Sequence, residues 1–142
     1  MILVDANLLI YATMSGSQGH KAAKSWLDEK LNGRSQVGLS WPSLLAFLRI
    51  VSNPKIFEHP MPMKEALGQV AAWLSVPVVW VPVPTERHHE LVASLLANET
   101  RSDLVMDAHQ AALAIEHGLD LCSTDGDFER FSGLRWEKPL AP

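Results

Sequence analysis

Met1-Ile2-Leu3-Val4-Asp5-Ala6-Asn7 is the stretch that decides the fold of this chain. A run of apolar residues, β-branched at Ile2 and Val4, opens the sequence and stops at an aspartate. An apolar run of this kind reads as a strand buried on both faces, as the strands of parallel sheets are. It delivers the carboxylate of Asp5 to the rim of a sheet. Downstream, apolar positions fall at helical spacing from His20 to Asn32, after Ser40 as far as Val51, from Met63 to Leu74, from Thr85 to Ala97 and from Leu104 to His117. Stop and start signals bracket them: Ser40 with Pro42 two positions on, Asn53-Pro54, and Gly118. Short β-type runs alternate with these helices at Val37-Gly38-Leu39, Val78-Val79-Trp80-Val81 and Leu119 to Ser123, with Leu134-Arg135-Trp136 as a candidate fifth. The alternation predicts an α/β fold: one domain over residues 1–142, with a central, mostly parallel sheet flanked by helices.

At 142 residues the chain has the size of one domain and buries a core without staples. A net charge of −4 argues against bulk electrostatic attraction to nucleic acid, while leaving room for a local basic patch. The single cysteine, Cys122, excludes an internal disulfide and points to a reducing cytoplasm. No signal-like segment or apolar run of transmembrane length is present, so the expectation is a soluble cytoplasmic protein without a membrane partner.

In open parallel sheets the ligand crevice lies beyond the carboxyl ends of the strands. Asp5 closes the first predicted strand and Asp125 follows the fourth, which puts both on one rim. Asp103 and Asp107 fall four residues apart in the first turns of the preceding helix, on one face, where like charges repel. A cation among them removes the conflict. Oxygen donors without cysteine or clustered histidine point to Mg²⁺ or Mn²⁺. Each acid also has a simpler reading on its own: a helix cap at Asp5, dipole complements at Asp103 and Asp107, and an Asx turn at Asp125-Gly126-Asp127. Zinc is not indicated, since His109 and His117 lack a third ligand; His88-His89 read as helix surface. Ser40 and Ser43 have no base at readable spacing, and Cys122 reads as a buried strand residue.

The same residues carry a resemblance. Met1-Ile2-Leu3-Val4-Asp5-Ala6-Asn7 resembles the opening of PIN-domain ribonucleases, Asp107-Ala108-His109-Gln110-Ala111-Ala112-Leu113-Ala114 their later helix, and Leu121-Cys122-Ser123-Thr124-Asp125-Gly126-Asp127-Phe128 their closing strand and Asp-x-Asp-Phe turn. Order, spacing and length are similar to the VapC toxins of bacterial toxin–antitoxin pairs, and Phe131-Ser132-Gly133-Leu134-Arg135-Trp136 with Pro139-Leu140 to one branch of them. The resemblance implies a three-layer PIN-like domain and a metal-dependent endoribonuclease toxin. Such an enzyme cuts structured RNA of the transfer or ribosomal class and is silenced by a cognate VapB-like antitoxin. It implies that Asp5, Asp107 and Asp125 hold Mg²⁺, with Mn²⁺ as the alternative.

One position departs from the family pattern: the run Leu45-Ala46-Phe47-Leu48-Arg49 has Ala46 where the family usually has Glu. Asp103 is the first candidate to replace that carboxylate and Asp127 the second. Arg49, on the same helix, is the candidate RNA contact. This helix is apolar on nearly every side. With Trp41, Met61 and Met63 nearby, that fits either a face for a homodimer and an antitoxin segment or burial in the chain's own core. Two rival functions stand beside the nuclease: a catalytically weakened PIN-like domain that binds RNA or a partner, argued from Ala46, and a phospho-accepting α/β domain. The last ranks third, because Asn7 stands where an aspartyl phosphatase needs a second Asp.

Overall fold

The computed structural model describes residues 1–140. The opening run forms β1 (Ile2–Val4), followed directly by α1 (Ala6–Thr13) and α2 (His20–Leu31). β2 (Val37–Gly38), α3 (Trp41–Val51), α4 (Met63–Leu74), β3 (Val79–Trp80) and α5 (His88–Leu96) come next. A 3₁₀ turn at Ser102–Leu104 leads into α6 (Val105–His117), β4 (Asp120–Cys122), a second 3₁₀ turn at Gly126–Arg130 and β5 (Trp136–Glu137). The five strands form one sheet in the order β3-β2-β1-β4-β5, with every neighbouring pair parallel.

The sheet places β1 at its centre. Ile2 and Leu3 pair with Val37 and Gly38 on one side, while Ile2, Leu3 and Val4 pair with Asp120, Leu121 and Cys122 on the other. Successive β1 side chains point to opposite faces. Ile2 and Val4 accordingly join a core with Leu8, Leu27, Phe47 and Trp73, and Leu3 joins a second core with Ala108, Leu113, Leu121 and Phe128. The alanines of α6 allow that helix to lie close on its face of the sheet: Ala108, Ala111 and Ala114 are all fully buried. α6 ends where Gly118 takes a left-handed φ of 67°, a conformation costly for any residue with a Cβ.

α3 resolves the two alternatives for its apolar surface. Ser40 caps it and Pro42 sits in its first turn, as the sequence predicts. Leu44, Phe47 and Val51 are buried in the chain's own core, and Met61 packs against that core. Trp41, Leu45 and Met63 are the exposed remainder. The α6 segment differs from the expected continuous helix from Leu104, because a 3₁₀ turn precedes it and holds Asp103 outside the α-helix. No helix among the described residues is long and apolar enough to cross a membrane.

Candidate metal centre

Asp5 serves two ends at once. Its backbone is extended (ψ 154°) as the N-cap of α1, and its Oδ1 accepts from the backbone N–H of Ala6 at 2.9 Å. The simple reading as a cap is therefore correct, and it leaves the other oxygen committed elsewhere: the Ser123 hydroxyl donates to Oδ2 at 2.7 Å. Ser123, fully buried just past β4, also accepts from the backbone N–H of Asp125 at 3.0 Å and from Asn7 Nδ2 at 3.2 Å. One hydroxyl thus ties the end of β1 to the turn after β4. Nothing in the sequence singles out Ser123 for this, because its partners lie 118 and 116 positions away.

Asp125 caps the second 3₁₀ turn, its Oδ1 accepting from the Asp127 N–H at 2.9 Å. This is the Asx turn expected from Asp125-Gly126-Asp127, and it folds Asp127 back beside Asp125. Asp107, in the first turn of α6, completes the group: one carboxylate oxygen each from Asp107, Asp125 and Asp127 lie within 4.8 Å of one another. An octahedral Mg²⁺ with bonds near 2.1 Å sets trans oxygens about 4.2 Å apart. A small closure of this group meets that spacing, and oxygen-only donors are those of a hard divalent cation. Asp5 adjoins the group closely enough that its charge acts on Asp107.

The electrostatics record the crowding. Asp107 is pushed up from 3.8 to about 6, first by burial and then by the charges of Asp125, Asp5, Asp127 and Asp103. Asp5 is also raised, chiefly by burial, against the lowering effect of its hydrogen bonds from Ser123 and Ala6. Perturbed carboxylates converging on a sheet edge mark a site built to receive positive charge.

The fourth carboxylate differs from the first expectation. Asp103 does not join the group. Arg101 holds it, donating from Nη2 to Oδ2 at 2.7 Å and from Nε to Oδ1 at 3.2 Å. Asp127, the second candidate, is the acid that the group contains. Ala46 lines a groove of about 460 Å³ together with Asp5, Leu45, Arg49, Met106 and Asp107. Arg49 is exposed on that groove and has no ion-pair partner among the described residues. At its floor Gln110 bridges the two helices. It accepts from the Ser40 hydroxyl and donates to the Ser43 hydroxyl at 2.8 Å, fixing α6, and with it Asp107, against the start of α3.

The histidines fall elsewhere. His117 contacts the Val83 carbonyl at 2.7 Å and the edge of Trp80. His88, expected at the surface, is wedged between Glu116 (2.6 Å) and His109 (3.0 Å) with its side chain only 16% exposed. Burial and the neighbouring His88 lower the pKa of His109.

A parallel sheet in the order β3-β2-β1-β4-β5 thus gathers aspartates at its carboxyl edge, an arrangement able to receive a divalent cation. The PIN domain family matches residues 2–134. The chain belongs to the PIN-domain family and, within it, to the VapC ribonucleases. It is 44% identical over 142 residues to Ribonuclease VapC37 of Mycobacterium tuberculosis, covering 99% of each chain. It is 38% identical over 141 residues to Ribonuclease VapC33 of the same species, again covering 99% of each. Among solved structures, M. tuberculosis VapC20, a Sarcin-Ricin loop cleaving toxin, superposes with a TM-score of 0.67 at 23% identity, covering 95% of this chain and 99% of that one. Rickettsia felis VapBC2 bound to a promoter DNA fragment gives 0.66 at 16% identity, covering 96% and 98%. At these identities the structural likeness is one of fold.

Proposed function

We propose that the chain is a Mg²⁺- or Mn²⁺-dependent endoribonuclease, the toxin of a VapBC-type pair, acting on structured RNA of the transfer or ribosomal class. The observation that carries this reading is the convergence of the Asp107, Asp125 and Asp127 oxygens beside Asp5 at the carboxyl edge of the sheet. The names of the full-length relatives support the ribonuclease activity, and the toxin–antitoxin assemblies among the structural neighbours support an antitoxin partner.

A bound divalent cation supplies polarisation of a phosphoryl oxygen and a water acidic enough to attack at neutral pH. The chain's residues do the remaining work. Asp5, Asp107 and Asp125 would hold the ion, with Asp127 as the further acid of the group. Ser123 and the Ala6 N–H fix the Asp5 carboxylate in one orientation at the inner end of the site. The Ser40–Gln110–Ser43 bridge keeps Asp107 in register with the other acids. Arg49 offers a cation along the groove to an RNA phosphate. The exposed Trp41, Leu45 and Met106 beside this groove suit the homodimer and antitoxin contacts that the resemblance implies.

The test is cleavage of end-labelled transfer RNA by the purified chain in Mg²⁺ or Mn²⁺, in EDTA, and by Asp5→Asn and Asp107→Asn. Metal-dependent products that both variants lose are the expected result; cleavage that survives EDTA or either substitution overturns the reading. The rival reading, a PIN-like domain that binds RNA without cutting it, rests on the small side chain of Ala46 in the groove. RNA binding with no cleavage in either metal favours it.

A further inference from the structure

We infer that Arg101 is a resident counter-ion of the carboxylate group, which leaves Asp127 when a divalent cation enters and is then free to bind a phosphate of the RNA backbone. This rests on the metal-dependent reading above.

Two cations have a claim on the same carboxylate. Asp127 belongs to the converging oxygens, and both of its oxygens are already taken by Arg101, at 3.3 Å from Nη1 and 3.2 Å from Nη2. The other edge of the guanidinium grips Asp103, with its shortest contact at 2.7 Å. The two grips are unequal. Of the two bonds to Asp103 one, at 2.7 Å, has the length of a strong charge-assisted bond and the other is 3.2 Å, whereas both bonds to Asp127 lie at the long end of N–H···O distances. The Asp127 side is the one that yields. Its release costs little, since the Arg101 side chain is 43% exposed and a solvated ion pair is weak.

A divalent ion among Asp107, Asp125 and Asp127 replaces the guanidinium as their counter-ion and repels it. Asp103 then acts as a tether that keeps Arg101 at the rim of the site. This gives Asp103 a role that needs no contact with metal, and it explains an acid next to the centre yet outside the group. The freed donors have the planar fork that matches phosphate oxygens bidentately. Arg130 adds a second positive charge nearby, paired to Glu99 at 3.5 Å and close enough to act on Asp103. Arg49 supplies one on the α3 groove. A polyanion laid over the carboxylates would otherwise meet net repulsion. With Arg101 released only when the ion is present, metal and RNA binding become mutually reinforcing through one side chain.

The experiment uses the full chain with Arg101→Gln and Arg101→Lys. Mn²⁺ affinity is measured alone by titration calorimetry. Binding of a fluorescein-labelled hairpin RNA in Ca²⁺ is measured across a KCl series. Arg101→Gln removes the competing cation, so Mn²⁺ binds about threefold more tightly. The same variant loses one phosphate contact, so the slope of log K against log[salt] falls in magnitude by about 0.7 to 0.9. Arg101→Lys restores the slope, which a merely structural role does not predict. Unchanged or weaker Mn²⁺ binding by Arg101→Gln, or an unchanged salt slope, overturns the inference while leaving the nuclease reading intact. A wild-type chain that binds no Mn²⁺ overturns both.

Discussion

Substituting Asp107 by Asn is expected to make the metal-free protein more stable at neutral pH while removing its activity. The carboxyl titrates at about 6 in the fold against an ordinary 3.8, with burial the first cause and the neighbouring acids the next. Below 3.8 both folded and unfolded chains hold the proton and no penalty exists. Between 3.8 and 6 the unfolded chain releases its proton first, so stability falls as pH rises through this window. Above 6 both states are ionised and the penalty is complete. At full weight the difference corresponds to about 3 kcal/mol. Solvent reaches the half-exposed carboxylate, and a discount for that screening leaves about 1 kcal/mol. Asparagine is the neutral near-isostere of the protonated acid. In EDTA at pH 7.5 the variant should therefore melt roughly 3 °C above wild type, by circular dichroism. The gain should shrink towards zero at pH 4, where the wild-type carboxyl is protonated in the fold. Mn²⁺ should raise the melting temperature of the wild type and leave that of the variant nearly unmoved. A variant less stable than wild type at pH 7.5, or a difference that ignores pH, refutes the account of the crowded carboxylates.

Other substitutions report on the supports around this centre. Ser123→Ala removes the hydroxyl shared by Asp5, Asn7 and the Asp125 N–H. RNA cleavage should fall about tenfold, the rate equivalent of one lost hydrogen bond to a charged group, measured as kcat/KM on a fixed substrate. His88→Ala removes one hydrogen bond from the Glu116 carboxylate, which keeps its bond from the Thr85 N–H, and should cost about 1 kcal/mol in urea unfolding, with Mn²⁺ affinity unchanged. Cys122 is buried, and its thiol is pushed up to about 12, first by burial and then by Glu137. It should stay unmodified by a disulfide reagent at pH 8 until the chain is denatured.

What the sequence disclosed and what it concealed follow from the range of the interactions involved. Asp5 and Asp125 were legible because an apolar run ending in an acid announces a strand end, and parallel topology then sends strand ends to one edge. Asp107 was legible from its place at a helix start. Helical spacing counted through a continuous helix puts Asp103 on the same face as Asp107. The 3₁₀ turn at Ser102–Leu104 interrupts that count, and Arg101, two positions upstream, captures the side chain. Asp127 was the weaker candidate in sequence. Yet the Asx turn expected there is the device that folds it into the group. His88 looked like surface because its partners, Glu116 and His109, lie 28 and 21 positions on, across the packing of α5 against α6. Local patterns report local structure, whereas contacts made by the crossing of helices are fixed only by the assembled fold.

The arrangement of these charges also says how the site can be both stored and used. Four aspartates crowded at a sheet edge are a cost to the folded chain above pH 6, and the surrounding residues limit that cost without abolishing it. The Ser123 and Ala6 donors favour the ionised form of Asp5, and the Arg101 guanidinium neutralises the Asp127 side. Asp107 receives no such help: no hydrogen bond or ion pair to its carboxylate exists among the described residues, and after burial the largest effects on it are the charges of the neighbouring acids. Burial and repulsion therefore both weigh on this one carboxylate. A divalent cation held among these acids would relieve the repulsion there. Replacing Ala46 by a neutral side chain would leave this strain untouched. A glutamate at that position would add a further negative charge beside Asp5 and Asp107 in the groove. On the function proposed above, the small residue would suit a site that takes its fourth carboxylate from Asp127 and leaves the α3 side open to the substrate.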